Sequence, residues 1–180
     1  MKGMKRLLLV ALCMVCFQST AFAMEYAHTI KDGPMTFSWT VDGEMLHVKL
    51  TGRTTGWVAV GFNPVKMMKG ANFMMGYVKK GKVKVTDHIG NSERGHKADT
   101  KSGGINNATN VNGSEAKGVT EISFTMPLNS GESVDTVIDP AGTTTVLMGQ
   151  GGGRDSFRSI HSFKSVHRVT LATGASEKVK

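Results

Sequence analysis

The residues of this chain with metal chemistry to offer are methionine and histidine. Met67 and Met68 stand side by side in Asn63-Pro64-Val65-Lys66-Met67-Met68-Lys69-Gly70, between two apolar runs, and His161 and His167 lie far downstream. Thioethers at a strand-to-strand connection, beside a glycine that permits close approach, either present a soft sulfur to a metal or fill irregular core space. His167 alternates with Val169 and Leu171, so it reads as an inward-facing strand histidine. His161 follows the Gly151-Gly152-Gly153 run in a less regular segment that leaves its imidazole free to be aimed. Without further context each histidine is better explained as structural than as a ligand. His96 and Asp99, in Gly95-His96-Lys97-Ala98-Asp99, fall in a stretch from 90 to 118 rich in Gly, Asn, Ser, Thr and Lys, expected to form a long exposed loop.

The elements that must position these groups read as strands. Apolar or alternating runs cover 35–41, 44–50, 57–62, 72–78, 82–89, 119–126, 143–148 and 165–171, and none keeps a helical period. Asp42-Gly43 and Lys80-Gly81 mark tight hairpin turns. The pattern predicts an all-β fold, an immunoglobulin-like antiparallel sandwich with helix confined to short turns.

Lys2, Lys5 and Arg6, an apolar run from Leu7 to Phe17 and Ala21-Phe22-Ala23 have the order of a secretory signal peptide cleaved after Ala23, leaving one domain over 24–180 that is periplasmic or secreted. The run is too short for a permanent membrane anchor, so no transmembrane segment is expected after cleavage. Both cysteines, Cys13 and Cys16, lie inside it, so disulfides, thiolate ligands and iron–sulfur clusters are excluded from the exported part. No His follows Cys16, which excludes covalent c-type haem. The formal charge of +8 loses three positive and no negative residues, leaving about +5, spread out, with Lys79, Lys80, Lys82 and Lys84 the densest group. Without an aromatic–basic recognition motif, nucleic acid is not an expected partner; a basic face suits an acidic protein. No Gly-x-Ser-x-Gly and no His-Glu-x-x-His occurs, so nucleophilic and zinc-hydrolytic catalysis have no support and the chain is not expected to be an enzyme.

Gly56-Trp57-Val58-Ala59-Val60-Gly61-Phe62-Asn63-Pro64, then Met68-Lys69-Gly70-Ala71-Asn72-Phe73 and Gly76-Tyr77-Val78, resemble the signature of the DOMON family. The likeness continues through Thr86-Asp87-His88, the Gly95 to Asp99 patch with Gly103-Gly104, Asp155-Ser156-Phe157 and His161-Ser162. It implies a DOMON-fold sandwich that, in cytochrome-like members, holds b-type haem through one methionine and one histidine. Carried over by position, the methionine is Met68, with Met67 its close competitor, and the histidine is His161, with His167 the alternative. The family's Ala-Asp reads Ala71-Asn72 here.

On that reading the cofactor is non-covalent haem b, Phe73, Met74, Met75, Phe157 and Phe163 wall its slot, and Arg158, Arg154 or Arg168 pairs with propionates. The expected function is single-electron transfer to or from a redox partner protein. The fold also serves members that bind sugars or other small molecules, which makes a ligand-binding module the alternative. A copper-binding protein is the third reading, since methionine and histidine suit Cu(I) and nine methionines follow the signal peptide, although they are dispersed through strands.

Overall fold

The computed structural model describes residues 25–179; the signal-peptide reading therefore lies outside the described residues. Twelve strands form: β1 (His28–Asp32), β2 (Met35–Asp42), β3 (Met45–Gly52), β4 (Val58–Phe62), β5 (Asn72–Lys79), β6 (Lys82–Ser92), β7 (Gly95–Ala98), β8 (Thr109–Ala116), β9 (Val119–Pro127), β10 (Thr144–Gly151), β11 (His161–Thr170) and β12 (Ala175–Lys178). Among the described residues one 3-10 turn, Asp99–Lys101, is the helical exception. A five-stranded sheet, in the order β1-β2-β3-β9-β8, packs on a seven-stranded sheet ordered β12-β11-β10-β4-β5-β6-β7, with every pairing antiparallel. The all-β sandwich expected from the alternating runs is the observed architecture.

Alternation decides what lies between the sheets. Phe37, Trp39, Leu46, Val48 and Leu50 on one side meet Val58, Val60, Phe62, Met74, Val146 and Met148 on the other, all essentially without solvent contact. Phe37 stacks on Trp39 at 4.6 Å between ring centroids, and the Trp39 indole N–H donates to the Leu171 carbonyl at 2.9 Å. Truncating such a ring to alanine costs about 3–5 kcal/mol, because the cavity left behind adds to the lost transfer energy.

β4 is buried along its whole length and β5 nearly so, which an inter-sheet face alone does not explain. The reason is a second apolar cluster on the outer face of the seven-stranded sheet, built on Trp57, Ala59, Ala71, Phe73 and Met75, with Met68, Tyr77, Leu147 and Phe157 packed against it. Strands covered on both faces read as continuous apolar runs, as 57–62 and 72–78 do.

Lys80 and Gly81 both take positive φ (51° and 73°) between paired Lys79 and Lys82, as a two-residue hairpin of the right twist requires. The first hairpin sits one residue later than expected: Asp42 pairs with Met45, and Gly43-Glu44 make the turn. The stretch from 90 to 118 is not the long loop expected; it carries the end of β6, then β7, the 3-10 turn and β8.

Candidate functional site

The outer face of the seven-stranded sheet brings sulfur, imidazole and aromatic side chains together. Phe73 and Met75 alternate outward from β5, and Gly61, opposite Phe73, leaves the room that its ring fills. The segment after β10 folds back over this face and lays Phe157 against Tyr77, at 4.9 Å between centroids, and against His88 at 5.4 Å. Trp57 closes the opposite end, its indole N–H donating to the Ser159 hydroxyl at 2.9 Å.

Met68 is held there by backbone. Its N–H donates to the Glu93 carbonyl (3.3 Å), its carbonyl accepts from Ala71 (3.1 Å), and Gly70 and Gly90 exchange bonds with the same stretch of β6 and the loop: Gly70 N–H to Gly90 carbonyl at 2.7 Å, Gly90 N–H to Ala71 carbonyl at 2.8 Å. A side chain at Gly90 would collide with the Met68 carbonyl. Met68 is half-buried in the outer cluster, whereas Met67, at φ 53°, is 49% exposed. Of the adjacent pair, Met68 is the sulfur on the face.

Two histidines complete the site, and neither figured among the ligand candidates. Continuing the alternation of β6 from Lys84 through Thr86 places His88 on the outer face opposite Phe73. His96, on β7, is half-buried rather than in an exposed loop, with its Nδ1 3.0 Å from the Nδ1 of His88 and its ring 6.3 Å from Phe73. Burial lowers the pKa of both: His88 falls to about 4, mainly by desolvation with help from His96, and His96 falls by desolvation, partly offset by the Phe157 backbone carbonyl. Both rings are neutral near pH 7, so one Nδ1–H must donate to the other Nδ1. When His88 is the donor its Nε2 carries the lone pair, and Nε2 is buried without a partner. A neutral imidazole whose other nitrogen is held by a hydrogen bond is the state in which histidine binds a metal.

The other sequence candidates are placed differently. His161 opens β11 opposite Gly151, exposed, at the Trp57 end of the face. Met68 lies beyond Phe62 at the opposite end of β4, ~13 Å further along the strand direction at the usual rise per residue, so the two residues stand at opposite ends of the same face. His167 is buried on the inter-sheet face, its Nε2–H donating to Asp32 at 3.0 Å. Lys178 also grips Asp32, at 2.9 Å, and these contacts, Lys178 first, hold that carboxyl below its ordinary pKa. His167 thus ties β11 to β1 across the sandwich, on the side away from Met68. Phe163 and Met74 also face the inter-sheet core rather than the outer cluster. Arg154 and Arg158 are exposed on the covering segment, and Arg168 pairs with Glu177 at 3.1 Å.

Comparisons with known proteins agree with this architecture. Two solved structures share the fold: the cytochrome b domain of pyranose dehydrogenase from Coprinopsis cinerea (TM-score 0.60, 9% identity, 78% of each chain covered) and the cytochrome domain of cellobiose dehydrogenase from Myriococcum thermophilum (TM-score 0.54, 12% identity, 82% of each chain covered). No curated protein sequence matches. The sequence profile of the DOMON domain matches residues 31–151, most of the chain, from the end of β1 to the end of β10. With that match laid over the two-sheet sandwich just described, the chain belongs to the DOMON family.

Proposed function

We propose that this protein is an exported b-type cytochrome module that holds haem b on the outer face of its seven-stranded sheet and carries single electrons, catalysing no reaction of its own. The observation that carries the proposal is the buried, neutral, unpartnered Nε2 of His88 on the same apolar face as the Met68 thioether. The likeness to two cytochrome domains supports it. Haem b, when bound, would supply one-electron exchange, and Met68 with an imidazole would hold its iron.

The chain's own residues fit that group in donor chemistry. Met68 offers a thioether, which favours the reduced iron over a second imidazole. For the imidazole, His88 has its burial and unpartnered Nε2 on its side and His161 has the family-like position. His161 sits at the far end of the segment that carries Phe157, and Phe157, Tyr77, Phe73 and Trp57 supply the apolar surface of that face. Lys84, whose Nζ lies 6.0 Å from the Phe157 ring centroid, and the exposed Lys164, Arg154 and Arg158 give the rim a positive charge suited to a redox partner with an acidic face. Export rests on the N-terminal pattern of basic, apolar and small residues. Among the described residues no helix is long and apolar enough to cross a membrane.

The test is an absorption spectrum of the purified protein, oxidised and reduced, with iron and copper analysis. A low-spin six-coordinate haem spectrum with one iron per chain is expected. A colourless, iron-free protein from haem-replete cells would overturn the reading in favour of a small-molecule module. A second reading is favoured by one specific feature, the two Nδ1 atoms 3.0 Å apart beside a methionine, which also suit Cu(I); copper without iron in the same analysis would select it.

A further inference from the structure

Behind the histidine pair, on the other face of β6, lies a group of carboxylates that the electron-transfer reading does not use. Asp87 points inward from β6, Asp99 opens the 3-10 turn, and Asp135 comes from the segment after β9, which leaves the opposite sheet. One carboxylate oxygen from each lies within 4.8 Å of the others. Asp99 has no solvent contact and Asp87 is 1% exposed. Neither oxygen of Asp99 has a hydrogen-bond partner, and Oδ1 of Asp87 and Oδ1 of Asp135 are unpartnered as well. A carboxylate buried this fully, with both oxygens bare and turned toward two others, lacks something positive. Among the described residues no Lys, Arg or His forms an ion pair with any of the three.

The remaining oxygens are oriented by an outer layer. Asp135 Oδ2 accepts from the Ser130 hydroxyl at 2.6 Å and from Asn107 Nδ2 at 3.2 Å. Asp87 Oδ2 accepts from the Asn107 backbone N–H at 3.4 Å. Glu132 adds a fourth negative charge, its oxygens held by Asn107 Nδ2 at 2.7 Å and the Ile105 N–H at 2.8 Å. One oxygen from each of the three carboxylates therefore meets the others, while Asp87 Oδ2 and Asp135 Oδ2 are fixed by bonds to the protein.

We propose that Asp87, Asp99 and Asp135 bind a calcium ion that staples the 128–138 segment of the five-stranded sheet to β6 and the 3-10 turn of the seven-stranded sheet. The donors are all oxygen, which selects a hard cation over copper, zinc or iron. They come from three separate segments, which suits the large and flexible coordination shell of calcium better than the strict octahedron of magnesium, with water completing the shell. Without the ion, three carboxylates, two of them buried, face one another with no positive partner to offset their repulsion. The site lies one residue from His88, so the ion would also fix the strand that presents the buried imidazole.

The experiment uses the whole protein, stripped with EGTA and returned to calcium at pH 7.5. Equilibrium dialysis should find one calcium per chain, and the melting temperature should climb with calcium concentration, by about 5–10 °C once calcium is a hundredfold above its dissociation constant; magnesium should do much less. Asp99→Asn should lose both the ion and the calcium-dependent rise while still folding, since it removes a like charge. Wild-type protein that binds no calcium and melts identically in calcium and EGTA would overturn the proposal, and so would an Asp99→Asn variant that keeps the full rise. Neither readout involves haem, so failure of the cytochrome reading would leave this result interpretable, and the reverse.

Discussion

His88 and Asp87 are neighbours on β6 that face opposite ways, and the two sites behind them answer burial in opposite fashion. Desolvation pushes His88 down to about 4 and Asp87 up to about 8, in each case against the charged form. An imidazole that sheds its proton gains a free lone pair and becomes a better ligand for a soft or borderline metal. A carboxylate that takes up a proton becomes a worse ligand, and it recovers its charge only when a cation arrives. On the two proposals, the same physical penalty suits one face of the strand to a cofactor and leaves the other in want of a cation. What separates them is chemistry, since both are equally dry.

The sharpest way to break this comparison is to remove the imidazole. In the haem-loaded protein, His88→Ala should abolish the low-spin spectrum outright while His161→Ala leaves it in place. The reverse result would move the ligand to His161 and reduce the His88–His96 pair to a buried hydrogen bond; two unchanged spectra would show that neither histidine is the ligand.

Gly90 joins the two regions, since Met68 rests on it from one side and it follows Asp87 and His88 along β6. Gly90→Ala should cost about 1–3 kcal/mol, because the obstacle is backbone and cannot swing aside. The urea midpoint should fall, and the Met68 spectral contribution should weaken with it. A neutral effect would mean that the loop 66–71 is not seated as described.

Stability against pH sharpens the contrast further. Asp87 and Asp99 hold protons in the folded state that the unfolded chain gives up at ordinary carboxylate pKa, so their contribution to stability declines as pH rises toward about 8. His88, lowered to about 4, contributes the opposite slope, between about 4 and its ordinary 6.5. Between pH 6.5 and 8 only the carboxylates remain, so in EGTA the urea midpoint should fall across that window, and saturating calcium should flatten it. A midpoint constant in EGTA would show that the carboxylates are relieved some other way. The smallest effect belongs to Lys66, whose ion pair with Glu93 (2.7 Å) clips the Met68 loop to the β6–β7 turn from a position 69% exposed. Lys66→Ala should change stability by about 0–1 kcal/mol and leave the spectrum alone.

Eight strands were legible because their apolar residues alternate or run continuously, from Phe37 and Trp39 to Val166 and Val169. The missing ones lack that signal. β8, Thr109–Ala116, is exposed along nearly its whole length, and β12, Ala175–Lys178, along all of it; both are edge strands defined by pairing rather than by burial. β7 was hidden in a glycine- and lysine-rich stretch, and His96 with it. In the site, parity misled: Phe163 and Met74 each sit one residue out of step with the outward-facing positions, and a strand's side chains change face with every residue. The acidic cluster was beyond reach, because Asp87, Asp99 and Asp135 meet only through a sheet register and a long connection that no local pattern encodes.

The most direct test of the central claim is the near-infrared spectrum of the ferric, haem-loaded protein, where a sulfur-to-iron charge-transfer band reports methionine ligation. The band should be present in the wild type and gone in Met68→Ala, with Met67→Ala unaffected. A wild-type protein that binds haem without the band, or a Met68→Ala variant that retains it, would contradict the placement of Met68 on the iron.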